Sequence, residues 1–557
     1  MTNYKKPHDL SIKKSSLVAS LLVLFLLNPI SLMAKNYLSL SSQKNGKTYK
    51  NSVTVIDLDQ NTEITKIDLG KSYKLPGNFI QTRDLKNIYY YHQVSKQEAM
   101  IKVFDAKTFS LKYSAKIGHL DYVLLADYEV KTFFDVSPDA SKLYIQTNQK
   151  KVRNIMVFDN NSGELLKQIP LIKTKSYSFL SDDSDYLLTL YTSKHILSIH
   201  DANSFIKIKD VALKSTTPAI KISKYGEIYQ DYLFISAKAN YRNKKNTYKI
   251  KTLNLKTKEE KTSEYITNGK PIYVKDNSNN KLYIAAKNIK NNQLILLEFL
   301  EGNLTRIDTN EFKLYPKDII FNEGSEKLLI IGKKDNLLLD RENPKDSILM
   351  DQPSDTANII WKPSKKRLFL REGSGSEVAA FDTLTGEKID RSGTGRPGVK
   401  FGQFLASAAF TAVGYGYGYI AYAYKLSSTD MMLNVNQDKL YVINSKTNDV
   451  TQFNANDLSG RKALATGGGT AFMYQHEDNS DSFFVLSNKK ANIISDKDFS
   501  MIKQLKFDEV LGLDFDASLL FIKEDDTIKA MSMIDGSFLP NLPLGPNAKS
   551  IVPLIVD

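Results

Sequence analysis

One pattern recurs through most of this 557-residue chain: a short β-branched or aromatic run ending in a hydrophobic-Asp step, a polar turn, and a second apolar run. It reads VTVIDLDQNTEITKIDLG from Val53, IKVFDAKTFSLKYSAKIG from Ile101 and IMVFDNNSGELLKQIPL from Ile155. It returns as ILSIHDANSFIKIKDVAL from Ile196 and VAAFDTLTGEKIDRSG from Val378, with weaker copies near Ile250, Leu294, Leu337, Leu440, Ala491 and Ile528. A second pattern precedes each copy. It is clearest in FFDVSPDASKLYIQTN from Phe133, with variants from Pro271, Asn358 and Met432. The Asp, Asn, Ser, Pro and Gly residues between the apolar runs are those that tight turns require.

Together the two patterns give four strands per unit, with units spaced by roughly 35 to 60 residues, which is the period of β-propeller blades. Four short strands cannot bury both faces alone; radial stacking buries them and limits exposed edges. No periodic helical segment interrupts the series, so the fold class is all-β. The SPDASKLYIQTN turn followed by IMVFDNNSGE resembles the YVTN family of bacterial β-propeller repeats. That family has a Ser-Pro-Asp-Gly turn, a Leu-Tyr-Val strand and a hydrophobic-Asp-x-x-Thr-Gly hairpin. Ala140 stands where the family has Gly, and most copies lack the Pro. The resemblance implies a propeller of exported character and leaves function open.

Eleven units are countable, plus a final strand SIVPLIVD over 550–557. Eleven blades are many for one ring, so the reading favours two propellers, residues 35–310 and 311–557, over a single ring with split units. The last strand either completes the blade begun near Tyr37 or finishes the last blade locally.

Residues 1–34 read as a secretory signal. Lys5, Lys6, Lys13 and Lys14 precede a short apolar stretch from Leu17 to Leu27, and Ser31-Leu32-Met33-Ala34 ends on a small residue suited to cleavage. The apolar stretch is shorter than the about 20 residues needed to span a bilayer. This predicts export to the periplasm or cell surface, with Lys35 as the mature N-terminus. The formal charge is +14, and removing the leader's four Lys and one Asp leaves +11. For an exported basic protein the expected partners are a protein or an anionic envelope polymer, not nucleic acid. Lysines on strands and turns also discourage edge-to-edge aggregation.

The absence of cysteine excludes disulfides, thiolate metal sites, covalent haem and a cysteine nucleophile. One Trp, Trp361, is inadequate for the docking motifs of quinoprotein propellers. His92, His119, His195, His200 and His476 show no metal-ligand spacing and read as ordinary strand or turn histidines. DLDQNTE offers alternate oxygen ligands at Asp57, Asp59 and Asn61, but Thr62 and Asp68 replace the Gly and Glu of a calcium loop, so it reads as a turn. No nucleophile elbow or phosphate-binding loop occurs. No catalytic, cofactor or metal site is expected.

One segment breaks the repeat. The insertion at 394–430 carries no charge from Phe401 to Tyr424, with Lys400 and Lys425 on either side. Phe401 and Phe404 lie in its Ala- and Phe-rich half, and Tyr415, Tyr417, Tyr419, Tyr422 and Tyr424 in its Gly- and Tyr-rich half. Three readings stand: a hairpin packed on the propeller, a tyrosine-rich partner-binding surface, or membrane contact by Gly414 and Gly418 with interfacial tyrosines. The leading expectation is a non-catalytic exported scaffold binding a protein or envelope polymer. The alternatives are an exported hydrolase or lyase acting on a sugar polymer or peptide through channel carboxylates, and a membrane-associated assembly factor using 401–424.

Overall fold

The computed structural model describes residues 36–395 and 431–554, apart from short segments within those ranges. Among the described residues the chain is all strand and turn save one 3-10 turn, Pro344–Asp346. The strands form antiparallel units in chain order. Blade 1 spans 36–73, blade 2 spans 78–120, blade 3 spans 134–171 and blade 4 spans 176–212. Blades 5, 6, 7 and 8 span 226–268, 272–307, 316–351 and 356–393. Blades 9, 10 and 11 span 431–465, 472–506 and 509–532. Blades 2 and 3 join into one larger sheet through Thr147↔Leu120 and Asn148↔His119.

Burial explains the sequence pattern strand by strand. A blade's second strand lies between two neighbouring sheets, so Tyr186–Tyr191 (YLLTLY) and Ser482–Ser487 (SFFVLS) are buried at every position. Buried on both faces, such strands read as continuous apolar runs. The outermost strand has a wet face, and Met501–Lys506 (MIKQLK) alternates half-buried with exposed.

Eleven apolar clusters hold the blades together, and each bridges two consecutive blades. Leu38, Val53 and Val55 of blade 1 meet Ile88, Tyr90 and Phe104 of blade 2. The series runs on to Phe484 and Ile493 of blade 10 against Leu520 and Met531 of blade 11. It then returns, with Leu511 and Phe521 of blade 11 packed on Tyr37 and Ile551 of blade 1. The circuit therefore closes once, after eleven blades. Two rings were expected, and this is corrected: at residue 310 the core is continuous, with Tyr283, Leu296 and Leu314 packed on Ile319, Leu328 and Leu337.

Closure is made by the last strand, Ala548–Leu554, which pairs antiparallel with Asn36–Asn45 from Asn36↔Leu554 to Ser41↔Ala548. Of the two fates open to the terminal strand, it takes completion of the first blade. The same recurrent turn ends the third strand in blades 2, 3, 4, 5, 8, 9, 10 and 11. Its fifth residue donates its N–H back to the first and adopts positive φ, as at Phe109 (58°), Gly163 (76°) and Phe205 (59°). Only Gly takes this conformation without steric cost. At Gly163 a Cβ would also stand 2.3 Å from the Tyr113 ring, so Gly is needed there twice over. Ala140, in the Ser-Pro-Asp turn, likewise has φ 57°.

Two predictions follow from ring closure and burial. A chain ending at Asn547 leaves Tyr37 and Phe521 without Ile551; its thermal unfolding should lose the single cooperative transition of the full chain and expose dye-binding apolar surface. His92 is buried, stacks on Tyr90 at 5.0 Å, and has its pKa lowered to about 4 by burial and then by Lys102. The unfolded chain protonates near pH 6.5, so stability should fall as pH drops from 6.5 toward 4. His92→Phe should flatten that part of a plot of Tm against pH.

Candidate binding faces of the ring

Antiparallel order sorts the turns. Wherever a blade has them, the first-to-second and third-to-fourth turns lie at one end, and the second-to-third turns lie at the other, with the connections between blades. The two ends differ in chemistry.

At the first end the hydrophobic-Asp residue folds its own turn. Asp105, Asp159 and Asp201 each accept two backbone N–H groups through Oδ1, the closer from Thr108 at 2.8 Å, Ser162 at 2.8 Å and Ser204 at 2.7 Å. These bonds hold the three carboxyls below the usual carboxylate range. Asp139 is held down to about 2 by the hydroxyls of Ser137 and Ser141. Asp57 does the same work in the DLDQNTE segment, accepting the Gln60 N–H at 3.0 Å. The turn carboxylates of blades 2, 3 and 4 are thus fixed in place and ionised.

In the recurrent turn the residue after the first Asp, Asn or Ser is buried and couples blades. Its N–H donates to the last residue of the neighbouring turn in the same blade, as Asn160 to Ser141 and Asp496 to Asp481. At Asn160, Ala202 and Asp496 it is also the target of a second-strand tyrosine of the preceding blade. Tyr89 bonds Asn160 at 3.0 Å, Tyr144 donates to the Ala202 carbonyl at 2.9 Å, and Tyr441 donates to Asp496 Oδ1 at 2.6 Å. The buried Asp496 carboxylate also accepts Lys439 Nζ at 3.1 Å and Asn434 Nδ2 at 3.2 Å. Burial and then the Asp496 bond push the Tyr441 hydroxyl far above its ordinary range, keeping it a donor.

The opposite end is basic. In the sequence, the segments joining second to third strands hold thirteen Lys or Arg against two Asp. Among the described residues, Lys47, Lys194, Lys290, Lys333 and Lys489 of five blades are exposed there. Blade 1 extends beyond its own closing strand at this end. Its strands Asn36–Asn45, Thr48–Asp57 and Thr62–Tyr73 run past the closing strand, which stops at Ser41↔Ala548. Register places Gln43, Lys50 and Lys71 side by side, with Lys44 beside Tyr49. Like charges directly opposite across a sheet are destabilising by a few tenths of a kcal/mol. Lys50 against Lys71 is such a pair, with no carboxylate bonded to either among the described residues.

The expected partner-binding residues, Phe401, Phe404, Tyr415, Tyr417, Tyr419, Tyr422 and Tyr424, lie outside the described residues. The described chain leaves at Gly395 and resumes at Met431, between the fourth strand of blade 8 and the first of blade 9, which is the basic end. Its departure is anchored: the Thr394 N–H donates to Ser376 O at 2.9 Å and the Gly395 N–H to Thr451 Oγ1 at 2.8 Å. The sorting of charge between ends went unread in the sequence, although aligning second-to-third turns (NQKKV, GKKD, SNKK) displays it.

No family model matches the chain, and no curated protein matches it. Solved structures similar in fold include AztD of Citrobacter koseri, at TM-score 0.34 and 10% identity over 78% of this chain and 96% of that one. A eukaryotic initiation factor gives TM-score 0.39 and 10% identity over 86% and 97%. The dihydro-heme d1 dehydrogenase NirN gives 0.32 and 12% over 66% and 74%.

Tyr441→Phe leaves a buried carboxylate short of a donor and should destabilise the fold by about 1–3 kcal/mol in urea unfolding. Tyr144→Phe, whose acceptor is a carbonyl, should cost less.

Proposed function

We propose that this chain is an exported, non-catalytic β-propeller scaffold that binds an anionic polymer of the cell envelope through its lysine-bearing end, as a degenerate relative of the YVTN repeat proteins. The observation carrying the reading is the separation of charge between the two ends of the ring. Carboxylates at one end are consumed by turn hydrogen bonds, whereas lysines at the other stand exposed. A polyanion laid across the second end relieves the Lys50–Lys71 repulsion and meets no competing carboxylate from those turns except Asp525 and Asp526 of blade 11. Lys523 pairs with Asp526 at 2.8 Å and lessens even that. The signal-like residues 1–34 support export to the compartment that holds envelope polymers.

The test compares wild-type protein with the quadruple variant Lys44→Gln, Lys47→Gln, Lys50→Gln, Lys71→Gln on immobilised polygalacturonate and polyphosphate at low salt. Binding should weaken at least about tenfold, ~1.4 kcal/mol, and wild-type binding should fall steeply with added salt. A control variant at the other end, Asp59→Asn with Glu164→Gln, should bind as wild type. Equal retention of the quadruple variant overturns the reading. Fractionation of cells should recover the mature chain, beginning at Lys35, outside the cytoplasm.

A further inference from the structure

The repeats serve as an internal alignment, and one blade departs from it. In the eight blades sharing the recurrent turn, the residue before the turn Asp, Asn or Ser faces the preceding blade. In seven it is large, apolar and buried: Phe104, Phe158, Leu253, Phe381, Phe453, Ile494 and Met531. All seven sit in clusters that unite their blade with the one before, among them Phe158 with Tyr89 and Phe381 with Leu338. In blade 4 the position is His200, 7% exposed, with an Nδ1 that finds no hydrogen-bond partner. The cluster joining blades 3 and 4 does not include it. Between those blades lies a cleft of about 280 Å³ instead. That is near the lower end of the roughly 300–1,000 Å³ typical of small-molecule sites.

The lining divides into three parts. Ile169 and Pro170 of blade 3 and the Phe205 ring of blade 4 are apolar. Phe205 is held in place by its turn and by Lys142, whose Nζ stands 5.4 Å from the ring centroid and donates to Asn203 at 3.0 Å. Tyr191, Ser198 and His200 supply polar groups. The Ser198 hydroxyl is oriented by its bond to Asp210, which also receives Lys207. Burial holds His200 below the ordinary imidazole range, so it is a neutral donor and acceptor at pH 7. At the rim, Lys207 is neutralised by Asp210, whereas exposed Lys167 makes no ion pair among the described residues.

We propose that the cleft between blades 3 and 4 is a binding site for a hydroxylated carboxylate the size of one sugar ring, of the hexuronate class, opened by His200 in place of the repeat's apolar plug. The carboxylate pairs with Lys167, the hydroxyls bond Tyr191, Ser198 and His200, and the C–H face of the ring lies on Phe205 and Pro170.

The experiment is titration calorimetry of the full mature chain with glucuronate and, separately, glucose. Wild-type protein should bind glucuronate saturably and glucose at least tenfold more weakly. His200→Phe restores the residue of blades 2, 3, 8 and 9; it should abolish the binding while melting no lower than wild type. Lys167→Gln, an exposed change that leaves the core untouched, should weaken glucuronate at least fivefold. Absence of saturable glucuronate binding, equal affinity for glucose, or unchanged affinity in either variant overturns the proposal.

Discussion

A blade of this protein has two greasy faces and no means of hiding either by itself. Each second strand is apolar throughout because a neighbour covers it on both sides, as YLLTLY in blade 4 and SFFVLS in blade 10 show. An open row of such sheets would leave two bare faces at its ends. The pairing of Ala548–Leu554 with Asn36–Asn45 removes them by giving blade 1 an inner strand from the far end of the chain. Tyr37, Phe521 and Ile551 then make the eleventh interface like the other ten. This contact spans nearly the whole sequence, and every other interface keeps its neighbours only because it exists.

Apolar packing alone leaves the rotation of one blade on the next weakly defined, because dispersion and burial have little directionality. The tyrosine bonds supply direction. Tyr89, Tyr144 and Tyr441 each reach from the second strand of one blade to the residue behind the turn Asp or Ser of the next. That residue is itself tied by its N–H to the other turn of its own blade. Turn geometry and blade orientation are thereby coupled at one end of the ring. The same coupling commits the carboxylates of that end to structure and leaves the opposite end, where no such tyrosine bonds recur among the described residues, to carry lysine.

The all-β class, the blade count and the candidate hairpins were legible because turn residues and two-residue alternation are local signals. Asp105, Asp159, Asp201 and Asp382 end their third strands where the repeat predicts. The copy assigned near Leu440 was misplaced: Lys439–Asn444 is a second strand, and its blade's turn begins at Asn454. Asn in place of Asp and a Leu458 in place of Gly disguised it. The number of rings was not legible. Eleven similar units close as one circuit or two according to small differences in the angle between sheets, and no single residue records that angle.

Charge and cavity were hidden for a different reason: each is a property of position across blades rather than along the chain. Lys47, Lys194, Lys290, Lys333 and Lys489 are unrelated in sequence and share an end of the ring only because each follows a second strand. His200 reads as an ordinary strand histidine beside its chain neighbours, between Ile199 and Asp201. Set beside Phe104, Phe158, Phe381 and Phe453 it is the exception. In a repeat fold, selection for packing acts alike on equivalent positions, so a buried polar residue at one of them costs stability that its siblings retain. A neutral imidazole with an unpartnered Nδ1, beside a cleft where seven other blades place an apolar side chain, is a cost that packing does not explain. A ligand that bonds the polar wall and covers Phe205 would recover it, which makes the gap between blades 3 and 4 a site and not a fault in the ring.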